Sequence, residues 1–133
     1  MRHTLFLTML FAFGCGQAAT FDAELTDDPS PVTDSAGDTL FEIHVVDAAS
    51  GFDPTSIQVW LEPAGGAITN LQWTNDDADM DGMVSAADTL TVQEPPVNLV
   101  GAGDAGTKYS VEVVQSITAN RVNSLWMGTW TAQ

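Results

Sequence analysis

Basic residues are scarce in this chain, which has 3 Lys and Arg against 18 Asp and Glu among 133 residues and a formal net charge of −15. A surface that binds nucleic acid needs Lys and Arg to displace the counterions of the phosphates. Electrostatic docking on anionic lipid headgroups needs the same side chains. The composition therefore argues against a nucleic-acid partner and against a basic membrane-docking surface.

Reactive side chains are also few. A single cysteine excludes an internal disulfide. His44 is the only histidine beyond residue 3, and no Gly-x-Ser-x-Gly pattern of the hydrolase nucleophile is present. A catalytic triad would depend on His44 alone, at a position predicted to face outward on a strand. We therefore expect no enzyme, and we interpret the glycine-rich residues 101–106 as a flexible turn.

The first fifteen residues have the organisation of an export signal. A short basic start, residues 1–3, precedes an apolar run over residues 4–13 that is too short to span a bilayer, and Gly14 and Cys15 follow. This segment resembles a bacterial lipoprotein signal, which implies cleavage after residue 14, diacylation of Cys15 and a tether over residues 15–19. In that family, Gly16 after the cysteine implies the outer membrane. The alternative is an ordinary secretory signal cleaved near a stray cysteine.

Residues 20–133 read as one all-β domain. Apolar residues alternate with polar ones in seven short runs bounded by Gly, Pro, Asn or Asp. The runs are residues 21–25, 41–46, 57–62, 68–73, 89–93, 108–117 and 122–131. Seven short alternating strands predict a single antiparallel immunoglobulin-like sandwich. Its two inner faces are predicted to hold Phe21, Phe41, Ile43, Val45, Ile57, Val59, Leu61, Leu90, Val92, Tyr109, Val111 and Val113.

One segment carries a second resemblance. Over residues 40–61 a strand ends at Asp47, Ser50 and Gly51 form a turn, and Asp53 and Pro54 open the next strand. This order is similar to the first loop of bacterial immunoglobulin-like and cadherin-like modules. The resemblance implies an extracellular sandwich used for spacing or adhesion.

The acidic loop at residues 77–88 carries the sharpest functional pattern. With position 1 at Asp77, Gly82 occupies position 6, and ligand positions 3, 5, 7, 9 and 12 fall on Asp79, Asp81, Met83, Ser85 and Asp88. This spacing resembles the EF-hand loop, and more closely its dockerin version, which also ends in Asp. It predicts a Ca²⁺ site in which Met83 offers its backbone carbonyl. A solvated acidic turn and a Mg²⁺ or Mn²⁺ site are the alternatives.

The surroundings of this loop favour a structural role. Predicted strands flank it on both sides, and Pro95 and Pro96 exclude a helix after it. Because sensor EF-hands and dockerins need helices, we predict a calcium clip between two strands, with Val84 pointing inward to the core. Partner docking of the dockerin kind is the less favoured alternative.

Four tryptophans allow a second interpretation. Trp60 alternates out of phase with the inward residues of its strand, so its ring is a candidate for stacking on a ligand. The sequence thus predicts a lipid-anchored cell-envelope module with structural or adhesive function. A carbohydrate- or protein-binding module that uses exposed Trp residues is the alternative.

Overall fold

A computed structural model describes residues 20–133 as seven antiparallel strands. The strands are β1 (Asp22–Asp27), β2 (Thr39–Asp47), β3 (Ile57–Pro63), β4 (Thr69–Asp76), β5 (Thr89–Gln93), β6 (Lys108–Thr118) and β7 (Arg121–Thr131). Each corresponds to one of the seven predicted runs, and the ends differ by no more than three residues. Short 3-10 turns at Pro54–Ser56 and Ala102–Asp104 are the only helical elements in this part of the chain. The prediction of an all-β antiparallel fold is confirmed.

Strand β4 joins two groups of strands into one nearly closed sheet. Its first part, residues 69–71, pairs with β3, and its second part, residues 72–76, pairs with β5. The resulting order is β1-β2-β5-β4 followed by β3-β6-β7. This is the strand order of a seven-stranded immunoglobulin-type sandwich, here with β4 shared between its two sheets.

The core follows the predicted alternation. All twelve predicted inward residues are buried, and the core also contains residues from loops and strand ends: Val32, Ala48, Phe52, Val84, Val100 and Ala132. Complete burial of one large aliphatic side chain stabilises a fold by about 1.5–3 kcal/mol. The buried indole of Trp130 packs at 5.3 Å from Phe41, and its N–H donates to Asp27 Oδ1 at 2.6 Å. Trp130 therefore ties the last strand to the first.

Two bulges interrupt the alternation. Leu40 and Phe41 are adjacent in β2 and both buried, as are Val113 and Val114 in β6. The pairing register shifts between Thr39 and Phe41 in β2, and between Val113 and Val114 in β6. A bulge places consecutive side chains outside strict alternation, which explains why the period-two pattern predicted only one residue of each pair as core.

Residues 101–106 (Gly-Ala-Gly-Asp-Ala-Gly) match the Gly-x-Gly-x-x-Gly spacing of dinucleotide-binding folds. That motif requires a following helix whose N-terminus meets the pyrophosphate. Here the segment forms the 3-10 turn Ala102–Asp104 and leads into β6. The predicted turn is confirmed. Because no helix follows these glycines, the segment lacks the helix N-terminus that phosphate binding needs. Among residues 20–133 no helix has the length and apolar character to span a membrane.

The acidic loop and the start of the domain lie at the same end of the sandwich. Asp22 in β1 pairs with Asp47, the last residue of β2. The ring of Phe21 meets that of Phe52 edge-on at 5.7 Å, and Phe52 forms a backbone bridge with Val84. Val84 is completely buried, as predicted, so the acidic loop is attached to the core beside the first strand.

Candidate metal centre

Three aspartates converge in the loop between β4 and β5. Ligand atoms from the carboxylates of Asp77, Asp79 and Asp81 all lie within 4.8 Å of one another. Asp77 is half-buried, whereas Asp79 and Asp81 are exposed. Two oxygens bound to one Ca²⁺ at about 2.4 Å are at most about 5 Å apart. The three side chains can therefore hold one metal ion.

The turn is fixed by hydrogen bonds from its own backbone. The Gly82 N–H donates to Asp77 Oδ2 at 2.8 Å, and the Met83 N–H donates to Asp81 Oδ1 at 2.8 Å. Gly82 has a φ of +79°, a backbone conformation that glycine adopts without strain. The reversal predicted for position 6 is thus present, and it brings the first and third aspartates of the cluster together.

Hydrogen bonds and the charge of Asp81 shift the pKa values of Asp77 and Asp79 in opposite directions. The hydrogen bond from the Gly82 amide lowers the pKa of Asp77 below its ordinary value. A hydrogen bond with Asp77, aided by the negative charge of Asp81, raises the pKa of Asp79. Either a proton on Asp79 or a bound cation relieves the repulsion between Asp79 and Asp81, because both reduce the negative charge within the cluster.

The remaining predicted ligands lie in a hydrogen-bond network beside the cluster. The Met83 carbonyl accepts from Asn75 Nδ2 at 3.1 Å, which leaves one of its two lone pairs for another partner. The Ser85 hydroxyl is 3.5 Å from Asp88 Oδ2. The Asn75 Oδ1 atom is buried and lacks a hydrogen-bond partner. The structure thus brings three of the six predicted ligands together as carboxylates.

Asp88 is completely buried and organises the loop from within. Its Oδ1 accepts from the Ala78 N–H at 2.9 Å. Its Oδ2 accepts from the Ser85 N–H at 2.9 Å and from Asn75 Nδ2 at 3.1 Å. Both oxygens are therefore engaged by protein donors from the two ends of the loop. Asp88 lies outside the carboxylate cluster that the other three aspartates form.

Glu94 is a second buried carboxylate, at the opposite end of β5, that the sequence interpretation missed. It is 1% exposed, and its Oε1 accepts from the N–H groups of Leu99 and Val100 at 2.9 and 2.7 Å. Its Oε2 is 3.4 Å from the Asp38 N–H. Its position in the sequence could have indicated this role. Glu94 directly follows a strand and precedes Pro95, and the loop that comes next needs acceptors for its N–H groups.

Trp60 and His44 lie on outward faces of their strands. Trp60 is half-buried, and its indole N–H donates to Gln58 Oε1 at 2.8 Å. His44 is exposed, with Nδ1 at 3.2 Å from the Thr89 hydroxyl. Cys15, the predicted lipidation site, lies outside the described residues, as do the predicted signal segment and tether.

Comparison with protein-family models, with curated protein sequences and with solved structures finds no match for this chain.

Proposed function

We propose that this protein is an exported, lipid-anchored β-sandwich that binds one Ca²⁺ in its acidic loop and acts as a structural or adhesion-type module of the cell envelope. The observation that carries the cation site is the convergence of Asp77, Asp79 and Asp81 around a turn fixed by Gly82. The anchor is supported by the lipoprotein-like segment that ends at Cys15.

Calcium is the cation that best suits this donor set. Carboxylate oxygens are hard ligands, and a loop with three of them plus a free carbonyl lone pair leaves several positions for water. Ca²⁺ accepts six to eight ligands in flexible geometry, whereas Mg²⁺ requires a near-ideal octahedron. Because Asp88 lies outside the carboxylate cluster, we expect the weak affinity of extracellular modules, on the order of 10⁻⁴ M.

Calcium should raise the melting temperature of the chain, and Asp81→Asn should remove that increase. At about 2 mM Ca²⁺ and a dissociation constant near 0.1 mM, mass action adds roughly 2 kcal/mol to the free energy of unfolding. For a domain of this size that corresponds to about 5–10 °C. The measurement is a set of thermal melts in EDTA, Ca²⁺ and Mg²⁺. Asn retains an oxygen that can accept from Met83, so the turn itself should persist.

Asp76→Asn is the matched control for this experiment. Asp76 is exposed and adjacent to the loop but outside the cluster, so the variant removes the same charge without removing a proposed ligand. Its calcium shift should equal that of the unmodified chain. An equal shift in the Asp81→Asn variant, or an equal shift with Mg²⁺ in place of Ca²⁺, would refute the calcium assignment.

Acylation of Cys15 should place the protein in the membrane fraction of a Gram-negative host. Acyl chains contribute about 0.8 kcal/mol per buried CH₂, which gives anchoring without a basic patch. We expect radiolabelled palmitate to be incorporated into the chain, and Cys15→Ser to abolish both the label and membrane fractionation. Export of an unlabelled, soluble form of the unmodified chain would instead identify an ordinary secretory signal.

A binding module is the second candidate function. Trp60 lies on the outward face of β3 with its ring orientation fixed by Gln58. Trp60 is the cross-strand partner of Asn70, which lines a cleft between β3, β4 and β5.

A further inference from the structure

A cleft of about 350 Å³ opens where β4 leaves β3 and joins β5. Strands β3 and β4 are paired only as far as Val59 and Leu71. Beyond that point β4 pairs with β5 and diverges from β3. The cleft lies between the two diverging edges, at Ile57 and Gln58 on β3 and at residues 72–74 on β4. The volume lies at the lower end of the roughly 300–1,000 Å³ range of small-molecule sites.

The lining of this cleft carries no charged side chain. This is unusual in a chain with 18 acidic residues, and it distinguishes the cleft from the acidic loop. Four amide side chains from three strands line it instead, namely Gln58, Asn70, Gln72 and Gln93. Each amide offers both a donor and an acceptor on one planar group, a combination that matches the hydroxyls of an uncharged sugar.

Indole rings accompany the amides. Trp73 lines the cleft from the inner side of β4, where it packs against the core, and Trp60 on the outer face of β3 is the cross-strand partner of Asn70. The Trp60 N–H donates to Gln58 Oε1 at 2.8 Å, and Gln58 Nε2 is bonded to the Ser116 hydroxyl at 3.1 Å. This chain of hydrogen bonds fixes both the ring and the amide before a ligand arrives. Trp60, held in place beside Asn70, offers an aromatic face on which the apolar face of a pyranose can stack, while the amides meet its hydroxyls.

We propose that the cleft between β3, β4 and β5 binds neutral glycans. Acidic glycans and nucleic acids are disfavoured by the net charge of −15, and a cationic ligand finds no carboxylate in the lining. A purely apolar ligand would leave Asn70, Gln72 and Gln93 without partners, whereas Gln58 is already bonded to Trp60 and Ser116. The inference rests on the proposed adhesion role, for which it names the partner class, but its residues are separate from those of the cation site.

Isothermal titration of the full chain with cellohexaose, maltohexaose and laminarihexaose tests this inference, with polygalacturonate as an acidic glycan. At least one neutral hexamer should bind, with equal affinity in EDTA and in Ca²⁺. Gln72→Ala and Asn70→Ala remove exposed amides that fold stability does not require, and each should weaken binding about threefold to tenfold. Asn123→Ala, an exposed amide on β7 outside the cleft, should change affinity less than twofold.

Three outcomes would overturn the inference. The first is no heat of binding with any neutral hexamer at 5 mM. The second is binding that Gln72→Ala and Asn70→Ala leave unchanged. The third is binding of a different ligand class in place of the neutral glycans. The probes for this outcome are polygalacturonate and a capped hexathreonine peptide, which could pair with the open strand edges. Because the titration is run with and without Ca²⁺, its failure is distinguishable from failure of the calcium site.

Discussion

Asp88→Asn is expected to lower the melting temperature by roughly 10 °C in EDTA, before any cation is added. Both carboxylate oxygens accept from loop donors, with Ala78 on one oxygen and Ser85 and Asn75 on the other. An amide group presents two N–H bonds where one of these oxygens stood, so at least one buried donor loses its acceptor. Such a loss costs about 1–3 kcal/mol, and thermal melts convert it to the expected shift.

The contrast with Asp81→Asn separates a structural carboxylate from a ligand. Asp81→Asn should leave the EDTA melt nearly unchanged and remove the calcium shift, whereas Asp88→Asn should destabilise the EDTA state. If Asp88 were instead mainly a calcium ligand, Asp88→Asn would leave the EDTA melt unchanged. Asp76→Asn again controls for the change in net charge.

Glu94→Ala is the second substitution with a large expected effect, a loss of about 3 kcal/mol in the free energy of unfolding. The Leu99 and Val100 N–H groups both donate to Glu94 Oε1, and truncation leaves them without that acceptor beside a new cavity. Urea denaturation measures this loss directly, since the midpoint falls while its slope is retained.

Glu94→Gln provides the sharper control. Glutamine can keep its Oε1 between the same two N–H groups, and its amide replaces only the oxygen at 3.4 Å from the Asp38 N–H. We expect a cost of about 1 kcal/mol or less. Equal destabilisation by Glu94→Gln and Glu94→Ala would show that the negative charge itself, and not the acceptor at Oε1, stabilises the loop over residues 95–100.

Strand alternation was sufficient to predict the fold and most of the core. Runs such as Ile57, Val59 and Leu61 place every second side chain on one face, and all three are buried. The same rule could not find Leu40 or Val114, because bulges break the alternation and depend on the partner strand. The pairing of β4 with both sheets could not be predicted either, because polar and apolar residues alternate along β4 without interruption.

Loop spacing predicted the meeting of Asp77, Asp79 and Asp81, because alternate residues before a glycine reversal converge locally. It also predicted Asp88 as a ligand, but it could not predict that the two oxygens of Asp88 accept from Ala78 and Ser85. Which of the four aspartates is buried depends on how the loop packs against Phe52 and Val45, which are distant in the sequence. Calcium binding itself remains a prediction for the melts to test.

The first and last strands enter and leave the sandwich at opposite ends. The start of β1 pairs with the end of β2 through Asp22 and Asp47, whereas the end of β7 meets the end of β1, where the Trp130 indole donates to Asp27. A tensile force applied between the two ends of the domain would therefore act along the strands. It would load the β1–β2 ladder in shear, so that several hydrogen bonds resist together and are not peeled apart singly. Under a force applied between Asp22 and Thr131, the domain would therefore resist unfolding more strongly than under a force that peels β1 from β2.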